Sequence, residues 1–156
     1  MRSLFRTVVL CVFAWPAAAA APGWITSCAY SHSNNDDPIV HPGEPGAAHL
    51  HDFVGAKDTD AFSTPDSMQA SGSSCAMPGD TSGYWVPALY RDGIRVLPNA
   101  PQNRAALFYY RRQGSSAPFR PIPRGLKIIV GNANATSPGQ NEGLASGKII
   151  FKCGPG

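Results

Sequence analysis

No stretch of this chain runs far without a glycine or a proline. Sixteen glycines and fifteen prolines among 156 residues amount to about a fifth of the sequence, high for a globular domain yet below the range that reads as disordered. Few windows sustain a helical apolar period. What remains is a series of short β-prone runs between turn formers: Trp24 to Tyr30, Ala48 to Val54, Tyr84 to Tyr90, Ile94 to Leu97, Ala105 to Arg112, Leu126 to Val130 and Lys148 to Cys153. The chain is therefore expected to be mainly β, a sandwich-like or jelly-roll-like single domain with long loops. Asp92-Gly93 can supply the positive φ angles of a tight hairpin turn between two of the runs. Pro87 has no amide hydrogen, which places its strand at an edge or a bulge. The polar stretch from Lys57 to Thr81 is expected to be a long loop holding one helical turn, with Thr64 as cap and Pro65 behind it. Asn132 to Gly147 is a second such loop, and loops of this length are usually functional or tied down covalently.

Residues 1–21 read as a secretory signal. Arg2 and Arg6 form the basic start, Val8 to Trp15 the apolar middle, and Ala17 to Ala21 an Ala-x-Ala exit. The apolar part is too short to span a bilayer, so no stable membrane anchor is expected once it is cleaved. Residues 22–156 then form one domain by length. Removal of two of the thirteen basic residues takes the formal charge from +3 to +1. So weak a charge, with export, argues against nucleic acid as a partner. Cys11 leaves with the signal, and Cys28, Cys75 and Cys153 remain. Cys28 and Cys75 flank a histidine-rich block, and an oxidising compartment favours their pairing, for a stabilisation of about 4 kcal/mol by loop-closure entropy. Cys153 is then a free or intermolecular thiol, or the sign of a truncated chain.

Three of the four histidines fall within Asp37-Pro-Ile-Val-His-Pro-Gly-Glu-Pro-Gly-Ala-Ala-His-Leu-His-Asp-Phe-Val-Gly55. On a strand, His49 and His51 would share a face with Phe53, while Leu50, Asp52 and Val54 point the other way. A three-ligand metal site could be built from His49, His51 and either His41 or Asp37. The plainer alternative is a pair of histidines bonded to backbone groups, and no Cys-x-x-Cys or His-Glu-x-x-His pattern raises the metal reading, so no metal or other cofactor is assigned. His32, in Ser-His-Ser-Asn-Asn-Asp, reads as a solvated loop residue.

Aromatic residues gather at Tyr84-Trp85, Tyr90 and Phe108-Tyr109-Tyr110, beside Arg91, Arg111 and Arg112. Flat rings stack on sugars and arginine grips carboxylates, a mixture suited to an extracellular polysaccharide, acidic ones included. Half of each alternating strand must nevertheless face the core, so any single aromatic can be packing instead. Asp58-Thr-Asp60 is the nearest local pair of carboxylates for glycoside hydrolysis. Elimination from a uronate-containing sugar would instead use His or Tyr to move protons.

Taken in order, several blocks carry a resemblance: Asp37-Pro-Ile-Val with Pro42-Gly43, His49-Leu-His51 leading to Gly55, Tyr84-Trp85-Val-Pro87-Ala-Leu89-Tyr90, and Pro123-Arg-Gly125-Leu126 with Gly131-Asn132. In these the chain resembles the secreted family of the domain of unknown function numbered nineteen-ninety-six. His49 and His51 fall on its His-x-His, whereas His41 falls where the pattern has a small residue, which counts against a three-histidine site. The family pattern is longer, with a further Cys-containing block. The resemblance thus implies that this chain is an incomplete N-terminal portion of the domain and that Cys153 has lost its partner. It implies export and a tie to cell-wall polysaccharide, and it supplies no activity.

The reading that follows is a secreted protein acting on extracellular or cell-wall polysaccharide as a lyase or hydrolase, with His49 and His51 catalytic and Tyr84, Trp85, Tyr90 and Arg91 binding substrate. The rivals are a non-catalytic polysaccharide-binding protein and a metal-binding structural domain. Mass spectrometry of the exported protein should find a mature N-terminus at residue 21 or 22, and one still near Met1 would refute the signal.

Overall fold

The computed structural model describes residues 23–98, 106–111, 118, 120–132, 136–137 and 140. Among these residues, seven strands and one helix follow in the order β1 (Gly23–Cys28), β2 (Tyr30–Asn34), β3 (His51–Gly55), α1 (Pro65–Ser71), β4 (Gly83–Pro87), β5 (Leu89–Arg91), β6 (Ile94–Val96) and β7 (Ala106–Arg111). The protein is mainly β, as its turn-rich sequence requires. Every strand pairing among the described residues is antiparallel: β1 with β7, β5 with β6, and a three-stranded sheet in the order β2-β3-β4.

The layers are read from the alternation of side chains. On β1 and β7 the register pairs Trp24 with Tyr110, Thr26 with Phe108 and Cys28 with Ala106. These six form the inner face, whereas Ile25, Leu107 and Tyr109 lie exposed on the outer one. The inner face meets the three-stranded sheet through Tyr84, whose ring stacks on Phe108 at 3.8 Å. Two sheets in contact through their inward rows make the arrangement sandwich-like. Among the described residues the buried apolar set is small, namely Cys28, Phe53, Val54, Ala56 and Ala61, and buried Thr26, Asp36, Asp37, His51, Asp52 and Thr59 lie with them.

Several strand boundaries follow from single residues. The run Trp24 to Tyr30 divides at Ala29 into two strands in different sheets, because Cys28 is bonded to Cys75 and the Ala29 amide donates to Ser74 O. The run Tyr84 to Tyr90 likewise divides after Pro87, and β4 is an edge strand, where a residue without an amide hydrogen is tolerated. Between β5 and β6, Asp92 and Gly93 have φ of 51° and 77°, the two positive values that this hairpin turn demands. Gly55 ends β3 at φ 90°, and a Cβ there would lie 2.1 Å from Ser82 O.

Two expectations change. Leu126 to Val130 is not a strand: it runs irregularly and exposed, its apolar side chains finding no sheet among the described residues. His49 lies just before β3 rather than in it, since the ladder with β2 and β4 begins at His51. The run Lys148 to Cys153 and the thiol of Cys153 lie outside the described residues. The Lys57 to Thr81 loop is tied by the Cys28–Cys75 disulfide. Its helix is two turns rather than one, with a capping box between Thr64 and Ser67.

Phe53 is fully buried and Ile129 is 55% exposed. Phe53→Ala should therefore cost about 3–5 kcal/mol in urea denaturation and Ile129→Ala no more than about 0.5 kcal/mol.

Candidate functional site

β3 is bonded on both edges, and its two faces have different chemistry. One face carries His51, Phe53 and their cross-strand partners Asn34, His32 and Trp85; the other carries Asp52 and Val54 with Ser33, Tyr30, Val86 and Tyr84. His49, His51 and Phe53 do share a face. The His49 and His51 rings are 4.3 Å apart, and the His51 ring meets Phe53 edge-on at 6.1 Å. Phe53 in turn lies 5.8 Å from Trp85 and stacks on His32 at 4.8 Å.

His32 corrects the sequence reading, in which it was a solvated loop residue. A bulge after Tyr30 sets His32 opposite Phe53, and without it His32 would point to the opposite face. Its Nε2 lies 2.8 Å from Thr59 O, and its Nδ1 contacts Ser31 Oγ at 2.8 Å. Both ring nitrogens are thus engaged.

His51 is held differently. It is 4% exposed, and its Nδ1–H donates to Asp36 O at 2.9 Å, which leaves Nε2 as the unprotonated nitrogen of the neutral ring. Among the described residues Nε2 has no hydrogen-bond partner, and it is not among the sealed, unpartnered polar atoms, which are Thr26 Oγ1 and Arg95 Nε, so it keeps a narrow contact with solvent. Burial holds the His51 pKa below the usual imidazole value, and nearby His49 adds to this. The Asp36 carbonyl and the carboxylates of Asp37 and Asp52 oppose it without reversing it. His49 is exposed.

The carbonyl that orients His51 is itself fixed by the rest of Asp36. Its Oδ1 accepts from Gly46 N at 2.8 Å, its Oδ2 accepts from Ala61 N at 3.1 Å, and its amide donates to Asn34 Oδ1 at 3.1 Å. Asp37 Oδ1 accepts from the amides of Ile39 and Val40, both at 2.9 Å, and Oδ2 accepts from Trp85 Nε1 at 3.2 Å. Burial would raise the Asp37 pKa. The Val40 and Ile39 amides, the Trp85 indole and His51 outweigh it and hold the group below the ordinary carboxylate value.

The remaining predicted site residues do not join this cluster. Tyr84 lies on the opposite face, where its hydroxyl reaches Asp80 and Tyr110, and burial with the Tyr110 hydroxyl raises its pKa. Tyr90 and Arg91 sit on the β5–β6 hairpin, both exposed. That hairpin is fastened by Arg95, which donates to Asp52 and to Ser33 Oγ while its guanidinium lies 5.6 Å over the Tyr90 ring. Ser33 donates to Asp52 at 2.6 Å, so Tyr30 OH donates to Ser33 at 2.8 Å. Arg95 and Asp36 are the residues that sequence reading missed. A lone arginine after a turn and one aspartate of a pair carry no motif.

For a metal the donors must converge. Among the described residues, three such donors lie within 4.8 Å of one another at Cys28, Cys75 and Asp80, where both sulfurs belong to the disulfide. His49 and His51 form no such group with Asp37 or His41, so the three-ligand arrangement is not gathered here.

The family described as Domain of unknown function (DUF1996) matches residues 37–156. The chain belongs to that family. No curated protein and no solved structure matches it. The matched span starts at Asp37 and contains His49, His51 and Trp85, while β1, β2 and Asp36 precede it.

Because the His51 pKa is lower in the folded protein than in the unfolded chain, its contribution to stability is complete above the usual imidazole value of about 6.5 and is lost as the pH falls through the folded value. Asp37 contributes in the same direction at more acidic pH. Urea midpoints measured from about pH 7 to about pH 5 should fall, and His51→Gln should flatten this part of the profile while leaving the more acidic Asp37 limb in place.

Proposed function

We propose that the protein is exported after loss of residues 1–21 and acts on an extracellular or cell-wall polysaccharide as a lyase or hydrolase, with His51 as the proton acceptor and His49 as its exposed partner. The observation that carries this reading is the Nδ1–H bond from His51 to Asp36 O. A base must keep one tautomer and present an open lone pair, and this bond supplies both in a ring whose depressed pKa keeps it neutral at physiological pH. In an elimination, Nε2 takes the proton next to the uronate carboxyl. The released electron pair becomes the new carbon–carbon double bond, the glycosidic bond breaks, and the leaving oxygen takes a proton returned by His51 or supplied by water. In a hydrolysis, Nε2 instead takes a proton from water as the water oxygen bonds to the anomeric carbon, the glycosidic bond breaks and the leaving oxygen takes up a proton. Trp85 borders the site through Phe53 and Asp37, whereas Arg91 lies beside Asp92 on a hairpin anchored to the other face of β3 and would meet an acidic sugar only away from His51.

A non-catalytic binding protein is the second reading, favoured by the exposed ring of Tyr90 beside Arg95. The full-length protein should separate the two. Incubation with polygalacturonate, alginate and β-glucan should produce either ultraviolet-absorbing unsaturated ends or new reducing ends, and His49→Ala and His51→Ala should each abolish that release with the circular dichroism spectrum unchanged. Polymer binding without bond cleavage would favour the binding protein. A loss of melting temperature comparable to Phe53→Ala, with ligand binding intact, would make the histidines structural.

A further inference from the structure

A groove of about 260 Å³ opens where β1 and β7 meet the Tyr84 face of the three-stranded sheet, not the His51 face. Trp24 and Tyr110 stack at 4.7 Å along it, Pro78 and Ile122 extend its apolar wall, and Asp80 and Tyr84 supply its polar side.

The directions of its hydrogen bonds are forced. A carboxylate only accepts, so Tyr84 OH donates to Asp80, at 3.1 Å to Oδ2. Tyr84 has then used its one proton. Tyr110 OH, 2.6 Å away, must therefore donate to Tyr84, and burial keeps the Tyr84 phenol protonated. Asp80 also accepts from the Ser82 amide at 3.1 Å, which, among the described residues, leaves acceptor directions free on its carboxylate and on the Tyr110 oxygen. The groove is thus an apolar wall beside unfilled acceptors. It calls for a ligand with donors along one edge and an apolar face, and Asp80 repels a carboxylate.

We propose that this groove is a second sugar site, which binds a neutral hexose unit with its ring face against the Trp24 and Tyr110 side and its hydroxyls donating to Asp80 and Tyr110. The inference rests on the reading of a polysaccharide ligand, but it uses none of the histidine site. It assigns neutral units of the polymer to the groove and leaves acidic ones to the arginines elsewhere.

Calorimetric titration of the full chain with cellotriose, laminaritriose and trigalacturonate tests it. At least one neutral trisaccharide should bind and trigalacturonate should not compete. Tyr110→Ala should weaken the neutral ligand about tenfold, the scale of one lost aromatic contact with its hydrogen bond. Tyr110→Phe and Asp80→Asn keep the packing and each remove acceptor capacity, so they preserve the test if Tyr110→Ala fails to fold. Asp80→Asn should also admit trigalacturonate. The His49→Ala/His51→Ala double variant should bind the neutral sugar unchanged, which separates failure of this site from failure of the histidine reading. Binding of neither neutral trisaccharide, binding indifferent to both Tyr110→Phe and Asp80→Asn, or a preference for trigalacturonate would overturn the proposal.

Discussion

Everything described about this protein hangs on β3 being paired on both edges and covered on both faces. All five of its residues are buried. A strand in that position cannot slip by one residue without moving Phe53 and Val54 to the wrong sides and placing Asp52 among aromatic rings. The double pairing therefore sets the register of β2 and β4, and with it the separation of the imidazole and indole face from the Asp52, Tyr30 and Tyr84 face. It also explains how described residues with so few buried apolar side chains among them can specify one arrangement. Backbone ladders and satisfied polar groups take over work that a larger apolar core would do, and each buried polar group restricts the alternatives because leaving it unpaired is costly.

Asp36 illustrates the point. Its two carboxylate oxygens, its carbonyl and its amide all have partners, on two different loops, on β3 and on β2. The loop after β2 and the loop before α1 are thereby held against the same strand, and the tautomer of His51 is set by a residue fifteen positions earlier. The neighbouring Asp37 repeats the device on Trp85. Rigidity of this kind around a neutral imidazole costs nothing in charge, since the proton on Nδ1 is already committed to a carbonyl. A metal ligand could be oriented in the same way, but the surrounding donors do not converge.

The disulfide and the Asp52–Arg95 pair attach the peripheral parts. Cys75 draws the long polar loop onto the end of β1, where Ala76 N donates to Ser27 O and Ala29 N to Ser74 O. Arg95 fastens the short β5–β6 hairpin, which pairs with no third strand among the described residues, through a carboxylate that is almost fully buried. A two-stranded hairpin is marginal alone, so its position depends on that contact and on the ring of Tyr90 under the guanidinium.

Much of this was legible in the residues themselves. The Gly and Pro spacing, the Asp92-Gly93 turn, the Thr64 cap, the edge position of Pro87 and the side-chain period that groups His49 with His51 and Phe53 are local properties, each decided by one or a few neighbouring residues through backbone geometry. The tertiary structure alone decided that Ser31 bulges so that His32 lies on Phe53, that Leu126 to Val130 joins no sheet, that Tyr84 and Trp85 serve opposite faces, and that Asp36 rather than any histidine orients His51. Those outcomes depend on contacts between residues far apart in the chain, and pairing energies of that kind leave no period, spacing or composition signal in either partner taken separately.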